Sequence, residues 1–469
     1  MDCLEDLGVV AADLRVSEVH GTGSVAVIGG GWAGCAAAAD LAAAGRRVVL
    51  LEAGHELGGR GRRVELELDG AAHVLDNGQH LMLGAFNETS ALLAQLGVPL
   101  DSVIARRPFE IVHARGLRLR AGRWPAPWHL AAALLTARGL SVADRIALAS
   151  FLPRARKQAW QVSPDREATD WLSTMRQTPE LIASLWRPLC VAALNTPIER
   201  ASAQILANVL RESLGADAAA SEMWLPRTDL SSLMPEAAER LITRHGGEVR
   251  RAARVDLARY APESARWSLA VRTRGEHTSV EVESLVYAAA PLMLPRVFGL
   301  HAEALRPAIR LIERFRYEPI VTVYLKYGPE TRLPRPMMAL DDDAPDRRYG
   351  QWVFDRGALD PRNAGVLAVV VSAGGPHEDE PLDRLGEAIG WQLGEALGLP
   401  APRAVRAIVE RRATLAATPG LQRPVQATSL PKLVLAGDWT ESEFPSTLET
   451  AVRSGRAAAR CLLAASQPV

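Results

Sequence analysis

Lysine is almost missing from this chain of 469 residues. Only Lys157, Lys326 and Lys432 occur, and arginine supplies the remaining positive charge, a bias of composition from which no function follows. Neither sign of charge is in excess: 54 basic residues balance 54 acidic ones, so no global field gathers nucleic acid or an anionic membrane. Cysteine is scarce. Cys3, Cys35, Cys190 and Cys461 lie far apart and form no C-x-x-C pair, which argues against a disulfide framework and a zinc site. No metal is expected, and reduced thiols in a cytoplasmic protein are the default. No apolar run reaches the ~18 residues that cross a bilayer. The opening stretch "MDCLEDLGVVAADLRVSEVHGTG" carries acids and lacks the basic and apolar regions of a secretory signal. Length and an ordinary apolar content of 48% remain, and they suggest two or three globular domains.

The first informative stretch is "SVAVIGGGWAGCAAAADLAAAGRRVVLLEAG". Val25 to Ile28 read as a buried parallel strand. Gly29, Gly31 and Gly34 then match G-x-G-x-x-G, with Trp32 and Ala33 opening an alanine-rich helix that Gly45 ends. The glycines permit a tight turn, close approach of a pyrophosphate and close packing of helix on strand. A second strand follows and ends at Glu52-Ala53, where the acid is placed to accept from ribose hydroxyls. Strand, glycines, helix, strand and acid in this order predict a dinucleotide site. An acid at Glu52 disfavours a 2′-phosphate, which leaves FAD or NAD.

The next residues separate those two. Gly58, Gly59 and Arg60 in "LGGRGRR" resemble the second glycine motif of amine-oxidase-like flavoproteins. In that superfamily such residues contact the FAD diphosphate and ribityl region, and a guanidinium suits a diphosphate. The stretch "KLVLAGDWTESEFPSTLETAVRSG" resembles the superfamily's closing motif. The resemblance gives Gly437 and Asp438 a role at the ribityl chain, and Thr447, Leu448 and Glu449 a role as a helix N-terminus facing the flavin pyrimidine ring. Ser446-x-x-Glu449 fits a capping box, so a helix is expected to start near Ser446. Ala451, Ser454, Gly455 and Ala458 give that helix a small-residue face. By the same resemblance, Val255 or Val249 in "GGEVRRAARVDLAR" holds the adenine, and "SLVYAAAP" is a return strand.

Within the superfamily, "HVLDNGQHLMLGAFNET" and "LWRPLCVAALNTPIERASAQILANVLRESL" closely resemble hydroxysqualene dehydroxylases, over about residues 24 to 460. The fold implied is α/β: a Rossmann-like FAD-binding domain built from residues 24–80, 240–300 and 406–469, plus an α+β substrate-binding domain from 81–239 and 301–405. Residues 1–23 form an N-terminal extension outside the pattern. The reaction implied is removal of an allylic hydroxyl from an isoprenoid lipid by reduced FAD, with an external electron donor. Such chemistry needs a proton for the leaving hydroxyl. Asp76 or His80 is the expected acid, with Asn77 and Gly78 at the flavin edge and Gln79 on the substrate side. Asn195 and Trp439 are further expected substrate contacts. Trp124, Trp128, Leu130 and Leu134 are candidates for an apolar mouth, and a peripheral contact with the cytoplasmic membrane stays open. An oxidative carotenoid-type desaturase, an amine oxidase and a lipid-binding flavoprotein without activity are the other readings. Seven Phe and six Tyr, with no clear pair near the C-terminal motif, make an aromatic amine cage hard to build.

Overall fold

A computed structural model describes Arg15–Val16 and residues 23–465, apart from 115, 123 and 125–127. The N-terminal extension therefore lies mostly outside the described residues, although Arg15–Val16 pairs in parallel with Glu276–Val282. Five short strands form one parallel sheet in the order Glu248–Arg250, Arg47–Leu51, Ser24–Ile28, Ser284–Tyr287, Leu433–Leu435. Val25, Val48, Val286 and Val434 pack to one face, while Ala26, Val49, Leu285 and Leu433 pack to the other. Burial on both faces explains why these strands are continuous apolar runs without alternation. Helices Trp32–Ala43 and Leu448–Ala464 cover the first face, and the antiparallel strands Ala253–Ala261, Arg266–Thr273 and Glu276–Val282 cover the second. The small face expected on the closing helix is used: a Cβ at Gly455 would lie 2.1 Å from the Ala33 carbonyl oxygen.

The second half is built on an antiparallel sheet ordered Met337–Ala339, Trp352–Asp355, Val366–Ser372, Tyr317–Lys326, Ala404–Leu415. Helix Leu382–Leu397 covers one face through Leu385, Ile389 and Leu393. The other face, with Tyr324, Trp352, Phe354 and Val370, meets a layer of helices whose centre is Phe151 packed against Trp160, Trp171 and Trp186. The expected boundary at 406 cuts the strand Ala404–Leu415. Nine ladder pairs with Tyr317–Lys326 hold that strand in the substrate sheet, so the chain returns to the nucleotide half only after Leu415. The hairpin Arg63–Leu68 and Ala71–Asp76 joins the halves, with Tyr324 Oη donating to the Asp76 carbonyl at 2.8 Å. Near Pro188 the helical stretch departs from α geometry: Ile182–Trp186 is a π turn running directly into Arg187–Leu194.

Candidate active site

At the end of the first strand the chain must turn where side chains do not fit. Gly29 takes φ +106°, a left-handed conformation costly for other residues. A Cβ at Gly34 would stand 1.8 Å from the Gly29 carbonyl, so the helix can start directly beneath the strand only with glycine there. Gly31 differs: a Cβ would meet nothing nearer than Gly59 Cα at 3.9 Å. The result is a notch over the helix N-terminus, where the amides of Trp32, Ala33 and Gly34 have no side-chain cap. The second glycine run closes the notch. Gly58 N donates to Gly30 O at 2.8 Å, and Trp32 Nε1 donates to Gly61 O at 3.0 Å. Glu52 stands at the rim, accepting from Gly30 N at 2.6 Å and, past Ala53, from Gly54 N at 2.7 Å. The strand carrying Val255 is tied to the same rim by Ala253 N donating to Glu52 O, and a bulge falls just after Val255.

The far end of the chain completes the cradle. Arg60 Nη2 pairs with Asp438 Oδ1 at 2.5 Å, and Nη1 donates to Ala413 O at 2.6 Å. Gly437 and Asp438 follow the strand Leu433–Leu435, so first and last motifs meet. The helix beyond them starts one residue later than expected. Thr447 is its N-cap, accepting from Thr450 N at 3.2 Å, while Ser446 Oγ accepts from Leu415 N. The Glu449 carboxylate does not close a capping box. It accepts from Glu88 N, Thr89 N and Thr89 Oγ1, because helix Asn87–Gln95 begins at Phe86 and has no side-chain cap of its own. The Leu448 and Glu449 amides remain at the start of the closing helix, with Leu448 Cδ2 beside Gly61.

The segment 76–80 runs along the seam between the halves. Asp76 is 2% exposed, and its Oδ1 accepts from Leu230 N at 2.8 Å. Burial pushes its carboxyl up to about 7, against the pull of the Arg356 guanidinium and the Leu230 amide. Asn77 Nδ2 spans Arg60 O and Glu410 Oε2, at 3.4 and 3.3 Å. Gly78 has only His80 Cε1 and Thr322 Oγ1 near its Cβ position, both at 3.7 Å. His80 Nδ1 lies 2.5 Å from Gly78 O, and burial lowers its pKa, so the neutral ring is favoured. A hydrogen on Nδ1 satisfies that carbonyl and leaves Nε2 as an acceptor. Gln79 Nε2 donates to His80 O, but its Oε1 is buried without a partner.

Two expected substrate contacts sit elsewhere. Asn195 ends its helix at φ +46°, and its buried amide is saturated: Nδ2 reaches Glu318 O, Pro319 O and Thr414 Oγ1, and Oδ1 accepts from Ala373 N. The side chain is a clamp between helix and sheet, with both ends engaged by the protein itself. The Trp439 indole packs edge-on to Tyr287 in the nucleotide core, in the space left by the missing side chain of Gly437. Residues without a motif also enter the site. Tyr317 Oη and Arg423 Nη2 are buried without partners near Asp438, and Arg423 Nη1 donates to Asp438 O and Phe444 O. No local pattern marks either residue, since each is defined by partners on other segments.

An uncapped helix N-terminus over an open notch, an acid at the rim and orphaned polar atoms beside Asp438 fit a dinucleotide carrying a diphosphate and a polyol. The description of the flavin containing amine oxidoreductases matches residues 32–463. The chain belongs to this family. Like other flavin containing amine oxidoreductases it is an FAD-dependent oxidoreductase, and the cradle of Gly29–Gly34, Glu52, Arg60 and Asp438 is its expected FAD site. A hydroxysqualene dehydroxylase of Rhodopseudomonas palustris is 30% identical over 95% of this chain and 99% of its own length. One from Sinorhizobium fredii is 29% identical over 93% and 97%. An oxidoreductase of Methanosarcina mazei shares the fold with a TM-score of 0.70 at 14% identity, covering 93% of this chain and 100% of that one. No group of residues able to hold a metal ion occurs among the described residues.

Proposed function

We propose that this flavoenzyme removes the hydroxyl of hydroxysqualene reductively, giving squalene. The observation that carries the reading is the end-to-end similarity to hydroxysqualene dehydroxylases, which includes the substrate half as well as the nucleotide motifs. The chemistry balances simply. A proton joins the leaving oxygen, the carbon–oxygen bond breaks to release water, and a hydride fills the resulting allylic cation. Reduced FAD, when bound, supplies that hydride and is left oxidised for an external donor to reduce.

The chain's own residues supply the proton and the alignment. Asp76 is the proton donor, because a carboxyl held near 7 keeps its proton at neutral pH where an ordinary one does not. Gln79 Oε1 accepts from the substrate hydroxyl, which gives that buried atom its missing partner. His80 stays neutral and holds the loop through Gly78 O. Asn77 ties the same loop to Arg60 and Glu410. The substrate half is built on a large apolar core, and burying a C30 chain contributes about 0.8 kcal/mol per CH₂ with little need for polar contacts.

The test is the direction of electron flow. Protein with reduced FAD, mixed with hydroxysqualene under argon, should regain the yellow of oxidised flavin as squalene forms. Protein with oxidised FAD should leave hydroxysqualene unchanged. Bleaching of oxidised flavin by a carotenoid precursor or an amine, with no reaction of hydroxysqualene, would overturn the proposal.

A further inference from the structure

The helices Trp128–Thr136 and Val142–Lys157 form a hairpin that is apolar on its outer face as well as its inner one. A helix on a water-soluble surface turns apolar residues inward and polar ones outward. Here Ala133, Ala147, Phe151 and Ala155 do turn inward, but two polar side chains are inside with them. His129 is 1% exposed with neither ring nitrogen bonded, and Asp144 is buried against Ser141 and Thr178. Large apolar ones also stand outside: Trp128 is 66% exposed, Leu135 81%, Val142 74% and Ile146 66%, with Trp124 at 64% just before the hairpin. From Val142 to Pro153 every exposed residue of the second helix is Val, Ala, Ile or Pro. These five are the one group close together in the chain among the eleven large apolar side chains that the described surface leaves in water.

The sequence around this hairpin is equally one-sided in charge. Residues 111–164 contain nine arginines and lysines and one acid, Asp144, in a chain whose net charge is zero. Arg118 and Arg138 face each other across a bridge, with Arg138 in the turn directly after Leu135 and neither forming an ion pair among the described residues. Like charges directly opposite are unfavourable in water and become favourable when an anion lies over both. Exposed indoles and aliphatic side chains in a stretch rich in arginine match an interface of acyl chains beneath anionic headgroups. A second copy of the chain would bring the same positive charge to the same face, so self-association is disfavoured.

We infer that this hairpin docks on an anionic phospholipid bilayer through its exposed apolar face, with Trp128, Leu135, Val142 and Ile146 entering the interface and Arg118 and Arg138 meeting headgroup phosphates. No helix among the described residues is long and apolar enough to cross a membrane, so the attachment is peripheral. The inference does not rest on the reaction proposed above: it would hold for any substrate.

The experiment is sedimentation of the full-length FAD-bound protein with vesicles. Phosphatidylcholine vesicles containing phosphatidylglycerol should carry the protein down, phosphatidylcholine alone much less, and added salt should release it. The triple variant Leu135→Gln, Val142→Gln, Ile146→Gln should lose binding by at least about tenfold. Arg118→Gln and Arg138→Gln should each weaken binding by about fivefold to the anionic vesicles only. Flavin content and thermal midpoint are read in parallel to show that the variants stay folded, and the salt dependence of the wild type provides a test free of variants. Wild type that binds neither vesicle would overturn the inference. So would variants that bind like wild type, or a dimer seen by light scattering that the triple variant dissociates.

Discussion

Replacing Asp76 with asparagine keeps an acceptor for the Leu230 amide and removes the titrating proton. The carboxyl is held at about 7 against an ordinary value of 3.8, chiefly by burial. Between those values the folded protein keeps a proton that the unfolded chain has lost. Stability from this group is therefore highest at low pH, falls as pH rises from about 4, and levels off above about 7. Three units at 1.36 kcal/mol each make the whole penalty about 4 kcal/mol. Most of it, about 3 kcal/mol, accrues between pH 5 and pH 8. At about 2.1 cal/mol/K per residue, a chain of this length unfolds with about 1 kcal/mol/K of entropy, so the change is worth about 2 to 3 °C in midpoint. The measurement is differential scanning calorimetry of wild type and Asp76→Asn, both saturated with FAD, at the two pH values. The advantage of the variant over wild type should grow by those few degrees from the lower pH to the higher. A difference in midpoint that is the same at both, or that shrinks as pH rises, would refute the assignment of a raised carboxyl at Asp76. The same variant should lose turnover by about 10²- to 10⁴-fold with its flavin retained, as expected for loss of a general acid.

Three further substitutions test other parts of the structure. Gly34→Ala places a carbon 1.8 Å from the Gly29 carbonyl, so absorbance should show protein that purifies without flavin or with only a small fraction of it. Arg60→Ala breaks the pair with Asp438 and the bond to Ala413 O; titration should show FAD affinity lower by about 10- to 100-fold, the worth of one charged hydrogen-bonding group. Asn195→Ala leaves its backbone partners unsatisfied. That should cost about 2 to 4 kcal/mol, or a few degrees in midpoint, while the reaction product stays the same.

The nucleotide cradle is legible in the sequence because its constraints are local. A turn at φ +106° and a helix start 1.8 Å too close for any Cβ write themselves as glycines at fixed spacing. The meeting of Arg60 with Asp438 is legible only through resemblance, since no pattern within one segment requires it. The misplacements have the same root. Ser446-x-x-Glu449 satisfies a capping pattern, yet Thr447 caps the helix because Glu449 is drawn to the start of Asn87–Gln95. Ala404–Leu415 reads as part of the closing segment, but its ladder partners lie in Tyr317–Lys326. Asn195 reads as a polar residue at a helix end, and its four partners sit on strands more than a hundred residues away. Tyr317 and Arg423 leave no trace at all before the chain is folded. Polar residues whose roles are fixed by distant segments escape a reading based on periodicity and motif.

The most direct check on the proposed reaction is its stoichiometry in a single turnover. Under argon, protein carrying one reduced FAD and excess hydroxysqualene, with no other reductant, should form one squalene for each flavin oxidised, and product and flavin signals should rise together. Flavin that stays reduced while hydroxysqualene is recovered intact, or that is oxidised without squalene appearing, would contradict it.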